Sequence, residues 1–136
     1  MVLTSLTFLS LISSTLTRPF QVGFSFALSD QSTSKFYGNL YYAAFGNTAT
    51  TSHNLAPTIP TSVFAIYQCM FATITPALAF GSTSERMRLG PALIFILIWT
   101  TFVYDVVAYW QWAPNGWLSK MGVLDFAGGG PVHLAR

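Results

Sequence analysis

Two long stretches with almost no charge, joined by a short arginine-bearing turn, constrain this chain more than any other feature. Residues 60–81 contain no Asp, Glu, Lys or Arg. At 1.5 Å rise per residue a helix of that length crosses a hydrocarbon core of about 30 Å. Residues 91–112 form a second such stretch, with Asp105 its only charge. Between them, residues 82–90 carry Glu85, Arg86 and Arg88. Arginines beside a span mark its cytoplasmic side, so the first arm runs outside to inside and the second returns. Pro60 and Pro91 stand where a helix start tolerates proline. Pro76 falls inside the first arm, where it is expected to kink the helix or mark its last turns. A buried helical hairpin of a large soluble protein is the competing interpretation, and the match to bilayer thickness and the loop charges weigh against it.

Composition points the same way. Of 136 residues, 52% are hydrophobic and 7% charged, against roughly 25% charged in a soluble domain. So few ionic groups cannot cover a water-facing surface, which makes lipid part of the solvent. The net charge is +2 and the six basic residues are scattered, which excludes the clustered basic face of a nucleic-acid binder. Cys69 is the only cysteine, so no internal disulfide and no cysteine metal motif arises. No nucleophile-and-base set, phosphate loop or carboxylate pair is present, so neither an enzyme nor a cofactor is expected.

The flanks are less regular. Residues 1–29 are apolar enough for a span, but Arg18-Pro19 interrupts it, and an arginine at the bilayer centre costs about 2.5–3.5 kcal/mol on insertion scales. This span is read as degenerate. Residues 30–59 are polar and read as an outer loop with a short interfacial turn at 36–45, where aromatics gather. Residues 113–136 read as an outer loop leading into a further helix, through the run LDFAGGGPVHLAR. Three glycines and a proline there permit irregular backbone, which survives in a membrane only where protein or a water path surrounds it.

Three groups of side chains could carry chemistry. Tyr67 and Phe71 are four residues apart and share a helix face, with Ile74 and Leu78 continuing the stripe. Helix packing explains such a stripe; so does an aromatic constriction that attracts a small cation through its ring faces. Asp105 and Asp125 are ionisable groups in or beside apolar stretches. Asp105 is expected as an interfacial or helix-end carboxylate, and Asp125 as the group that shapes the glycine-rich break. His133 is expected either as a satisfied core residue or as a neutral donor and acceptor along a path. A lone histidine makes no metal site, and His53 is too distant to complete one.

Taken in order, the segments FSFALSD with FYGNL, YQCMFATITPALAFGSTSERMR, VYDVVAYWQWAPNGWL and GVLDFAGGGPVH resemble the Amt/Mep/Rh family of ammonium transporters, and its fungal Mep members in particular. The resemblance covers about residues 24–136 and is looser over 1–23. It implies an all-α membrane fold of which this chain supplies a partial ammonium-transporter helix bundle, about three transmembrane helices plus the start of a further one. It also implies a multi-pass protein of the plasma membrane, a homotrimer in the intact family, and ammonium or ammonia as substrate. On this alignment Phe71 falls on the outer pore-gating phenylalanine, and Tyr67 lies one turn before it. Trp112 matches the tryptophan that cradles the cation at the outer mouth. Asp125 matches the aspartate beneath the vestibule, and His133 the first of two pore histidines. The chain departs from the pattern at Arg18-Pro19, at Tyr109 where many members have histidine or cysteine, and at Asp105-Val106. It also lacks the family's first helix and later helices, so it is read as a partial and incomplete transporter. The alternative expectation is a non-transporting membrane fragment that associates with full-length subunits.

Overall fold

The computed structural model describes residues 21–48, 52–81 and 88–135. Arg18-Pro19 and the turn residues Glu85 and Arg86 lie outside the described residues. The first described element, α1, is helical over residues 21–28. A loop with a 3-10 turn at Ala43–Phe45 leads to a two-stranded antiparallel hairpin, β1 at Ser52–His53 and β2 at Ala56–Pro60. The first long helix, α2, spans Thr61–Gly81. The second arm consists of α3 at Leu89–Trp99, a π-helical segment at Thr100–Tyr104 and α4 at Asp105–Trp112. A short α5 at Trp117–Lys120 and a second π-helical segment at Gly129–Leu134 complete the described chain.

The 21 residues of α2 reach about 30 Å at 1.5 Å per residue. By length and composition, α2 and the arm that begins at Leu89 are each able to cross a membrane. The second arm's unbroken helix ends at Trp112, because Ala113 turns extended (φ −65°, ψ 140°). Pro76 does not terminate α2, which continues to Gly81 with Pro76 fully buried. Thr73 and Thr75 donate their hydroxyls to the carbonyls of Cys69 and Phe71, at 2.8 and 2.7 Å, so these polar groups are satisfied within the helix.

Small residues let the helices approach. The main core joins Phe24, Ala27 and Leu28 of α1 to Phe64, Ala65 and Ala72 of α2 and to Tyr104 and Ala108 of the second arm. A second cluster, Phe80 with Ala92 and Ile96, ties the end of α2 to α3. The opposite faces keep large apolar side chains exposed, among them Ile66 and Met70 on α2 and Ile94, Phe95, Ile98 and Phe102 on the second arm. Such a face suits lipid or further helices, not water.

Three features differ from the sequence-based expectation. Residues 52–59, expected within a loop, and Pro60, expected to open the first span, form the hairpin; its register is Ser52 opposite Pro60 and His53 opposite Ala56. A strand with two prolines is tolerated because this ladder has no third strand to receive their missing N–H groups. The second arm is not a uniform α-helix. Thr100 donates to the carbonyls of Ile96 (2.8 Å) and Leu97 (3.2 Å), and Thr101 to Leu97 (2.9 Å), where the backbone widens to π geometry. Asp105, expected at an interface or helix end, is instead buried part-way along that arm. It fits because Gly23 has no side chain: a Cβ there would come 2.7 Å from the Asp105 Oδ2.

The loop that follows α1 is strapped over the end of the second arm by side chains of residues 109–115. Tyr109 donates its hydroxyl to the Ser34 carbonyl (2.6 Å), Trp110 its indole N–H to Phe36 (2.9 Å), and Asn115 its amide to Ser32 (2.7 Å). From α1, Ser25 Oγ donates to the Asn39 carbonyl of that loop (2.7 Å) and accepts the Tyr42 N–H (2.9 Å).

Candidate functional site

A recess of about 310 Å³ opens where the first half of α2, the end of α4, the hairpin turn and the glycine-rich break converge. Tyr67, Gln68 and Phe71 come from α2, with Phe64 one turn above; Trp112 comes from the last turn of α4. Leu55 of the hairpin turn closes one side, and residues 125–128 the other.

The aromatic walls are mutually braced. Tyr67 and Phe71 pack edge to face with ring centroids 5.2 Å apart and an interplanar angle of 73°. Phe71 and Trp112 do the same at 6.1 Å and 74°. In an edge-to-face pair the edge of one ring covers a face of the other, and a ring face left uncovered attracts a small cation by about 0.5–2 kcal/mol. Tyr67 is 54% exposed, and Ile74 and Leu78 further along the stripe are exposed as well, so this face of α2 is uncovered among the described residues. Gln68 adds one polar atom: its Oε1 is buried and accepts no hydrogen bond among the described residues.

Trp112 is held from below. Its indole N–H donates to the Asp125 carbonyl at 3.1 Å. The Asp125 carboxylate is tied to the backbone: Oδ1 accepts the Gly129 N–H (2.7 Å) and Oδ2 the Gly130 N–H (2.9 Å). This cap organises the start of the second π-helical segment, as a carboxylate at the positive end of a helical turn does. Gly128 links the two arrangements. Its φ of +79° favours glycine, and a Cβ there would stand 3.2 Å from both the Trp112 ring and Val132.

Four of the five sequence-predicted site residues, Tyr67, Phe71, Trp112 and Asp125, therefore line one recess. His133 does not; it lies exposed on the second π-helical segment. Sequence reasoning missed Leu55, Phe64, Gln68 and Gly128. Gln68 sits between Tyr67 and Phe71 in the sequence and shares their helix, a signal that was available. Leu55 gave none, because its place depends on the hairpin.

Residues 4–135 match the Ammonium Transporter Family. The chain is 49% identical over 112 residues to ammonium transporter 2 of Schizosaccharomyces pombe, covering 82% of this chain and 22% of that protein. It is 42% identical over 113 residues to the ammonium transporter MEP2 of Saccharomyces cerevisiae, again covering 82% of this chain and 22% of that one. Its fold is similar to the crystal structure of Saccharomyces cerevisiae Mep2, with a TM-score of 0.81 at 37% identity, covering 96% of this chain and 29% of the other. The Candida albicans Mep2 structure gives 0.78 at 37% identity, covering 97% and 27%. The chain thus spans about a fifth of the length of the curated relatives it matches. Its relatives are membrane-embedded transporters, not enzymes, and the chain itself belongs to the Ammonium Transporter Family.

Proposed function

We propose that this chain is the outer-mouth portion of an ammonium transmembrane transporter, and that the recess is where the cation is first held. The observation that carries the proposal is the convergence of Tyr67, Phe71 and Trp112 on one small opening in a chain of this family. The aromatic faces recruit ammonium by their quadrupoles, and the unpartnered Gln68 Oε1 offers an acceptor to an N–H. Asp125 acts through the backbone, by fixing the loop under Trp112. His133 lines the conduction path beyond, in a pore completed by helices the described residues do not include. In the topology proposed, residues 60–81 and 91–112 span the plasma membrane, 82–90 face the cytoplasm, and 30–59 face outside. The intact assembly is a homotrimer.

The test is uptake of labelled methylammonium into cells that lack their own ammonium transporters, by the full-length protein carrying this segment. Saturable uptake that Trp112→Leu shifts to higher concentration supports the proposal. A full-length protein that inserts in the membrane and gives no uptake above background overturns it.

A further inference from the structure

The hairpin turn that contributes Leu55 to the recess is fastened by one buried side chain. His53 is fully buried between α1, the outer loop and α2, with its ring 6.1 Å from Phe24, 5.6 Å from Tyr42 and 5.1 Å from Phe64. Both ring nitrogens are engaged. Nε2 lies 2.8 Å from the Leu28 carbonyl, and Nδ1 accepts the Leu55 N–H at 3.2 Å. A carbonyl only accepts, so Nε2 carries the proton and Nδ1 is bare. These partners select the neutral imidazole and one tautomer of it.

We propose that His53 is a positioning residue for the recess: as the neutral imidazole it clamps the hairpin turn to α1 and α2, and a second proton releases it. That proton would have to sit on Nδ1, facing the Leu55 N–H, so two donors would meet head to head and the bond would be lost. Release moves Leu55 out of the recess wall and removes the ring that backs Phe64, the two lining residues His53 touches.

The surroundings set the direction. Burial pushes the His53 pKa down; the charge of Asp30 and the bond to Leu28 push back, with smaller effect. The titratable groups facing the ring are Asp30 and Tyr42, and they are joined to each other, Tyr42 donating its hydroxyl to Asp30 Oδ1 at 2.9 Å. α1 presents Phe24 and the Leu28 carbonyl to it, and α2 presents Phe64. With the closed-state pKa below the ordinary value of about 6.5, the open form takes up the proton first. The clamp is therefore at full strength above about pH 6.5 and weakens as pH falls through the closed-state pKa.

The clamp itself is tested without transport. In the membrane-inserted protein, hydrogen exchange at the Leu55 amide, corrected for the intrinsic pH dependence, should lose protection as pH is lowered from about 7.5 to 5, at up to about tenfold per unit. His53→Gln keeps a donor and an acceptor but does not titrate in this range, and its protection should stay flat. Flat protection in the unsubstituted protein, or a parallel fall in the variant, overturns the clamp. Nitrogen chemical shifts of His53 provide a check that needs no variant: a neutral ring protonated at Nε2 supports the proposal, and protonation at Nδ1 at pH 7.5 or above overturns it. The consequence for the recess rests on the function proposed above. Methylammonium uptake by the full-length protein should fall in acid more steeply in the unsubstituted form than in His53→Gln. An exchange step without that difference leaves the clamp standing and counts against the recess as the ammonium site.

Discussion

The backbone carbonyl of Asp125 accepts the indole N–H of Trp112 at 3.1 Å, while the carboxylate of the same residue accepts the N–H groups of Gly129 and Gly130. One residue thus joins the last turn of α4 to the start of the second π-helical segment. The plane of the Trp112 ring is fixed on two sides, by this bond and by Phe71 at 6.1 Å. A ring face attracts a cation only where it is aimed, so the pairing converts backbone geometry into a recruiting surface.

Trp112→Leu removes both the ring face and the indole donor. On a cation–π contribution of about 0.5–2 kcal/mol, half-saturation for methylammonium should rise about 2- to 30-fold, with membrane insertion unchanged. Concentration-dependent uptake measures this directly. An unaltered curve at low concentration would remove Trp112 from the site.

Asp125→Asn preserves shape but replaces one acceptor oxygen with a donor that faces an N–H. One of the two bonds to Gly129 and Gly130 must be lost. Because the Gly129 amide is exposed, the cost should lie near the low end for a bond to a charged group, about 1.5 kcal/mol. Hydrogen exchange at Gly129 and Gly130 should accelerate while exchange in α2 does not. Equal protection in both proteins would show that the carboxylate does not hold the break.

The long elements were legible because their cause is written along the chain. α2 begins one residue inside the charge-free stretch 60–81, and a run that must satisfy its own backbone in lipid has no choice but helix. Tyr67 and Phe71 could be placed on one face from their spacing alone. What the sequence concealed depends on contacts between distant segments. The buried place of Asp105 follows from Gly23 lying against it, a relation no local pattern encodes. Ala56-Pro57-Thr58-Ile59-Pro60 argues against a strand until its pairing with Ser52 and His53 is seen. Leu55 enters the recess only as a result of that pairing. The π geometry at Thr100–Tyr104, where threonine hydroxyls bond back to the preceding turn, is likewise something apolar periodicity does not report.

Gly128→Ala should be damaging twice over, because Gly128 is buried although residues 126, 127 and 129 beside it are exposed. The residue sits at φ +79°, which costs roughly 1–2 kcal/mol for an L side chain, and the new methyl would press on the Trp112 ring at 3.2 Å. Both effects tilt the tryptophan, so methylammonium affinity and thermal stability should fall together. Gly122→Ala is the internal control. It has a similar φ of +80° but open space around it, so stability should fall without loss of affinity. Equal affinity losses in the two variants would mean that backbone strain alone, not contact with Trp112, is responsible.

The structure gives Tyr109 a task of its own at the end of the second arm. The ring is fully buried, and its hydroxyl reaches Ser34 in the loop after α1, 75 residues earlier in the chain, at 2.6 Å. Tyr109→Phe keeps the packing and deletes the hydroxyl, leaving the Ser34 carbonyl without this donor. A loss of about 1 kcal/mol is expected, since a typical net hydrogen bond contributes about that much. The effect should be local: exchange in residues 32–36 should quicken, because Trp110 and Asn115 alone would then hold that strap by their side chains. Uptake should change little, because the Tyr109 hydroxyl is turned to the loop and Tyr109 does not line the recess. A large loss of uptake with no change in loop exchange would instead give Tyr109 a direct part in conduction.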